Sequence, residues 1–82
     1  MPPLTQFKRL DVRGMIRDGI EPCGKIWERI ESLPQDEGLI IIAPFLPSPL
    51  IEKLGSEGFQ SKVERGNGAD WIVYFWREVE RQ

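Results

Sequence analysis

Leu39-Ile40-Ile41-Ile42-Ala43 runs without a polar residue, so a strand built from it is apolar on both faces. The stretch Trp71-Ile72-Val73-Tyr74-Phe75-Trp76 before Arg77 has the same character. Such strands belong in the middle of a sheet, where neighbours pair their backbones and other layers cover their side chains. A chain of 82 residues forms one domain, and a domain of that size buries only about 60–65% of the surface its unfolded chain exposes. One layer of helices covers one face of the sheet and leaves the other short of cover.

The remaining elements fall around these two strands. Residues 1–6 contain Pro2-Pro3 and no apolar period, and are expected to be a loose leader. Residues 7–12 read as a short first strand ending at Arg13-Gly14, and a loop follows to Glu21. Pro22 suits the first position of a helix, because its missing N–H would be unpaired there, and Glu21 sets negative charge beside the positive helix end. In a helix over 22–33, Cys23, Ile26, Trp27, Ile30 and Leu33 form one apolar stripe, while Lys25, Glu28, Arg29 and Glu31 point elsewhere. Pro34 stops this helix and residues 35–38 turn the chain. Pro44, Pro47 and Pro49 stiffen the segment after the first apolar strand. Leu50, Ile51 and Leu54 then give a short second helix over 49–55. Phe59, Ser61 and Val63 alternate with Gln60, Lys62 and Glu64, the pattern of a strand with one wet face. Gly66-Asn67-Gly68 supplies left-handed conformations for a hairpin.

The order is βαβαββ: an α+β two-layer sandwich with two helices on one face of a four-stranded mixed sheet. The first two strands run parallel through a right-handed crossover and the last two form an antiparallel hairpin. The expected domain spans 7–79, with 80–82 as a tail.

Composition removes several function classes. With no histidine and a single cysteine, neither a zinc site nor an intramolecular disulfide is expected, and the carboxylates are not grouped for a metal. The lack of histidine also removes the commonest general base. Thirteen acidic against eleven basic side chains repel phosphate backbones at long range, so nucleic acid is a disfavoured partner. Gly19 and Gly24 lie in no phosphate-loop spacing, and no cofactor is expected. No apolar run is long enough to span a membrane and no secretory leader is visible, so the expected location is the cytoplasm.

Leu10-Asp11-Val12-Arg13-Gly14, followed by Glu21-Pro22 and an amphipathic helix, resembles the opening of the TusA/SirA-type sulfur carriers. Their pattern continues from Leu-Asp-x-x-Gly to a Cys-Pro whose cysteine carries a persulfide. Here Arg17 or Gly19 occupies the carrier position, depending on the side from which the loop is counted. Cys23 comes one residue after the proline. The chain is more similar to an uncharacterised sister group that keeps Leu-Asp-x-x-Gly and Glu-Pro but lacks Cys-Pro; Leu10, Asp11, Gly14, Glu21 and Pro22 carry that resemblance. It implies the two-layer sandwich, shared with the C-terminal domain of bacterial translation initiation factor three, and a setting in sulfur transfer or redox metabolism.

Without a carrier cysteine in its usual place, the expected function is non-enzymatic recognition of a partner protein, with no catalytic residue. Cys23 is expected on the buried stripe, where desolvation disfavours the thiolate. The alternative is a divergent carrier in which the helix end and Arg13 or Arg17 stabilise the Cys23 thiolate. Asp11 and Glu21 are expected to accept hydrogen bonds from loop and helix N–H groups rather than to share acid and base roles. Arg13, Arg17 and Lys25 can form a small basic patch. On the uncovered sheet face either Trp71, Val73 and Phe75 or Ile72, Tyr74 and Trp76 lie outward. Such aromatics mark a partner surface or a homodimer; RNA stacking is the third, less favoured reading. The expected partner-binding residues are therefore Arg13, Arg17, Glu21, Trp71, Tyr74 and Trp76.

Overall fold

The computed structural model describes residues 1–78; residue 79 and the expected tail 80–82 lie outside the described residues. Strands β1 (Phe7–Asp11), β2 (Gly38–Ala43), β3 (Phe59–Arg65) and β4 (Trp71–Arg77) form one sheet in the order β1-β2-β4-β3. Helices α1 (Arg13–Arg17), α2 (Cys23–Glu31) and α3 (Ser48–Ser56) complete the fold. β1 and β2 are parallel, whereas β2 with β4 and β4 with β3 are antiparallel. The two strands without a polar face are thus the two central ones, and the architecture is the expected α+β sandwich.

The core lies between the helices and one face of the sheet. Leu10, Leu39, Ile41, Val73 and Phe75 supply the sheet side; Ile26, Ile30 and Leu33 from α2 and its end, with Leu54 of α3, supply the helix side. Trp27 packs against this cluster half-buried. The opposite, outer face carries Phe7, Ile40, Ile42, Ile72, Tyr74 and Trp76, as strand alternation and the pairing register require. Trp71 shares the helix-side face with Val73 and Phe75, so the outward set is Ile72, Tyr74 and Trp76. The guanidinium of Arg65 sits 4.6 Å from the Trp71 ring centre, and the ring is half-buried.

A glycine makes part of the outer face possible. Phe7 stands opposite Gly38 in the parallel register, and any Cβ at 38 would clash with the edge of the Phe7 ring. The ring fills the gap that Gly38 leaves over β2 and meets Tyr74 and Trp76 edge-on, at centroid distances of 5.7 and 6.4 Å.

Four expectations are corrected. The stretch after Gly14 contains a helix, α1, which ends in a Schellman motif: the Ile20 N–H donates to the Met15 carbonyl and the Gly19 N–H to the Ile16 carbonyl, with Gly19 at φ 76°. Cys23 is exposed rather than buried. It has the phase of the Ile26–Ile30 stripe, but it occupies the first turn of α2, ahead of the point where the helix reaches the core. On β3 only Phe59 is buried, because the helices do not extend over its second half and Val63 stays open on the helix side. In the 66–70 hairpin loop only Gly68 has positive φ, while Gly66 serves the close approach of Asp70. The leader also contains a short 3-10 turn, Leu4–Gln6.

Two truncations on opposite faces separate the layers. Ile30→Ala removes a core side chain and should lower the unfolding free energy by about 2–5 kcal/mol in a denaturant titration. Gly38→Ala forces the Phe7 ring off β2 and should cost about 1–3 kcal/mol. A change within error for Ile30→Ala would contradict the placement of α2.

Candidate functional site

Val12 closes β1 against the core, and the chain turns at once into α1, which brings Arg13 back across the end of the sheet. Its backbone N–H donates to Asp11 Oδ1 at 3.1 Å, Nε donates to the same oxygen at 2.9 Å, and Nη2 to Oδ2 at 2.6 Å. Nη1 donates to Asp70 Oδ2 at 2.6 Å. Asp11 ends β1 and Asp70 precedes β4, so one guanidinium ties together the strands on either side of β2. This crosslink passes over the end of β2, where Ile42 is only 5% exposed although it lies on the outer face. The bidentate hydrogen bonds from Arg13 hold the Asp11 carboxyl down at about 2, against a partial opposing effect of desolvation. Arg13 is correspondingly pushed further above its ordinary value by Asp11 and Asp70.

Within the Leu10–Gly14 motif, Leu10 therefore serves the core and Asp11 the clamp. A Cβ on Gly14 would meet only the tip of Arg17, at 3.6 Å. Arg17 is exposed, with Asp18 3.9 Å away. The clamp, Arg17, Ile16 and Pro44 border a shallow open cleft of about 690 Å3. Arg13 is committed to two carboxylates there, so the basic patch expected from Arg13, Arg17 and Lys25 does not form as a free set of cations.

The second group lies at the start of α2. Glu21 Oε1 accepts the backbone N–H of Cys23 at 2.7 Å, which satisfies one of the otherwise unpaired donors of the first turn. The carboxyl of Glu21 is lowered from its ordinary value by hydrogen bonding to Cys23. The same neighbour acts oppositely on the thiol: hydrogen bonding to Glu21, then desolvation and the carboxylate's charge, push the Cys23 thiol up. The thiol is accessible, and its thiolate is disfavoured.

Cys23 opens onto an apolar cavity of about 210 Å3 bordered by Ile16, Ile26, Phe45, Pro47 and Leu50. Pro47 is buried, but Phe45 and Leu46 project with 49% and 39% of their surface exposed. The third group is the outer face. The Tyr74 hydroxyl donates to Glu64 Oε1 at 2.7 Å, and this bond raises the phenol's pKa. Lys62 Nζ lies 6.0 Å from the Tyr74 ring centre.

The structure thus gathers Asp11, Arg13, Arg17, Glu21, Pro22 and Cys23 at one end of the domain and sets Tyr74 and Trp76 on the outer face. Trp71 is on the opposite face. Sequence reading passed over Asp70, Ile16 and Phe45. A signal for Phe45 was present, since Phe45-Leu46 between Pro44 and Pro47 is an apolar pair in a segment too stiff to fold inward. Asp70 gave none, because its role depends on strand order. Among the described residues, no three His, Cys, Asp or Glu side chains could hold a metal ion together, and no helix is long and apolar enough to cross a membrane.

Residues 9–77 match a family model described as an uncharacterized conserved protein (DUF2249). No curated protein and no solved structure matches the chain.

The clamp predicts an acid titration. The folded value of Asp11 lies below the ordinary carboxyl value of about 3.9, so its contribution to stability is fully present above about pH 4. That contribution is lost as pH falls through the folded value of about 2. A carboxyl-carbon NMR titration should place the Asp11 midpoint near that value, and Arg13→Gln should return it to the ordinary range. A wild-type midpoint near 4 would contradict the clamp.

For Cys23, iodoacetamide should label the native protein more slowly than the unfolded chain at pH 7.5, because the thiolate and not access is limiting. Glu21→Gln should raise the native rate several-fold. An unchanged rate would dissociate Glu21 from the thiol.

Proposed function

The chain belongs to the DUF2249 family, and we propose that it is a small non-enzymatic module that recognises a partner protein through the rim of the apolar cavity beside Cys23. Its setting is the cytoplasmic sulfur-transfer or redox metabolism implied by its resemblance to the TusA/SirA carriers, without sulfur carriage by this chain. The observation that carries the reading is the pairing of a preformed apolar cavity with Phe45 and Leu46 held outward by the prolines around them. Projecting apolar side chains on a stiff segment lose little entropy on binding and add contact area, which suits recognition. Acid–base chemistry finds no support there: Asp11 is locked as an ion, and Glu21 is held by the Cys23 N–H.

A second reading is a divergent sulfur carrier in which the Cys23 thiol takes the outer sulfur of a donor persulfide, releasing the donor as a thiol. The exposure of Cys23 favours it; the Glu21 carboxylate, which disfavours the thiolate, opposes it. Neither the acidic balance nor the mixed charges beside Tyr74 favour RNA stacking on the sheet.

The test is a comparative pull-down from the source cell with the wild-type chain, Phe45→Glu and Cys23→Ala, each with and without reductant. The proposal expects a protein retained by wild type and by Cys23→Ala, lost with Phe45→Glu, and unaffected by reductant. Far-UV circular dichroism checks that Phe45→Glu remains folded. Retention that requires Cys23 and disappears with reductant, or a gain of one sulfur on Cys23 after incubation with a cysteine desulfurase and cysteine, would establish the carrier reading instead.

A further inference from the structure

The outer face of the sheet presents its charges in two opposed rows. The register aligns Arg9, Ile40, Tyr74 and Lys62 across the four strands, and the next outward row is Asp11, Ile42, Ile72 and Glu64. Both rows are apolar in the middle. The first is basic at both ends; the second is acidic at Glu64 and, at its β1 end, carries the clamp, in which Asp11 and Asp70 set two carboxylates against the one guanidinium of Arg13. Ile40, Ile72 and Tyr74 are half-buried and Arg9 is exposed. The far end of this face differs, because Met1, Pro2, Pro3 and Gln6 border a cleft with Trp76 there.

We propose that these two rows pair with the same rows of a second copy of the chain, about a two-fold axis that runs across the strands midway between them. Rotation about that axis sets the first row of each copy against the second row of the other. Arg9 then faces the Asp11 end of the second copy's clamp, Lys62 faces Glu64 of the second copy, Tyr74 meets the half-buried Ile72, and Ile40 lies over Ile42, which is only 5% exposed at the clamp. Two twisted sheets stacked in this way sit about 10 Å apart with their strands offset by about 30°, which long charged side chains can span. The other face-to-face arrangement, about an axis along the strands, maps β1 onto β3. It sets Arg9 over Lys62 and Asp11 over Glu64, like charge on like. The pattern therefore selects one of the two isologous stackings.

Asp11 and Glu64 each keep an intrachain partner, the Arg13 guanidinium and the Tyr74 hydroxyl, so a contact across the axis is an additional one for each carboxylate. The side chains of Asp11, Lys62 and Glu64 are 39%, 53% and 42% exposed. The intrachain Lys62–Glu64 pair is 3.5 Å apart, and such an exposed pair is worth little. Four strands at about 4.8 Å spacing and about five residues at 3.3 Å each give a footprint of about 300 Å2 per copy. That is small beside the roughly 1,200 Å2 total of stable complexes, so the dimer is a weak and transient one. The surface is separate from the Cys23 cavity, so this inference and the proposed function stand or fall independently.

Charge exchange between positions 62 and 64 provides the test. Sedimentation equilibrium from about 10 μM to 1 mM at low salt should show the wild-type chain dimerising with concentration, and added salt should weaken the dimer. Lys62→Glu alone and Glu64→Lys alone each set like charges against one another across the axis and should dimerise at least tenfold more weakly. An equimolar mixture of the two variants restores opposite charges at both contacts and should form a heterodimer at least as tight as wild type. Arg9→Glu provides a second, independent weakening on β1, should either β3 variant fail to fold. A wild-type chain that stays monomeric at 1 mM, a mixture no tighter than its components, or a stronger dimer with Lys62→Glu alone would overturn the proposal; the last result belongs to the axis along the strands.

Discussion

β2 and β4 are apolar on both faces, and the rest of the structure follows from having to cover them. Their backbones pair with each other and with β1 and β3, which places them in the middle of the sheet. α2 and α3 cover one face with Ile26, Ile30 and Leu54, and Ile41, Val73 and Phe75 are almost fully buried beneath them. Among the described residues, no helix covers the outer face. There the chain uses what it has: the Phe7 ring over Gly38, the Arg13 clamp across the end of β2, and Lys62 and Glu64 around Tyr74. Each device shields part of the apolar surface, and Ile40, Ile72 and Tyr74 remain half-open.

The polar network at the end of the domain works by fixing conformation. Arg13 meets Asp11 through several hydrogen bonds and reaches Asp70 from the other side of β2, so the end of the sheet and the start of α1 are held as one unit. Glu21 joins the chain ahead of α2 to the helix's first turn through Cys23. A carboxylate placed there stabilises a helix start, and here it also pushes the adjacent thiol up, disfavouring its thiolate. The group that holds the start of α2 therefore works against a thiolate on the neighbouring cysteine.

Much of the fold was legible in the sequence because period and punctuation agree. The unbroken apolar runs identified β2 and β4, the Ile26–Ile30–Leu33 spacing gave the buried face of α2, and Pro22, Pro34 and the hairpin glycines marked boundaries. α1 was missed because a five-residue helix is too short to show a period, although Gly19 followed by Ile20 carried its C-terminal signature. The exposure of Cys23 was not legible for a different reason. Periodicity tells which face a residue takes, not where along the helix the neighbouring layer stops. The wetness of β3 has the same cause. Asp70 joined the site only through strand order, since its partner Arg13 is 57 positions away in sequence.

The central claim is that one face of the β2–β4 pair is sealed and the other is only half-covered. Methyl NMR of dilute protein with a soluble paramagnetic probe tests it directly, since isoleucines lie on both sides of the sheet. The account predicts strong broadening of the Ile40 and Ile72 methyls, while Ile30 and Ile41 remain sharp. Equal protection of all four would mean that the outer face is closed by the chain's own side chains, and would contradict the account.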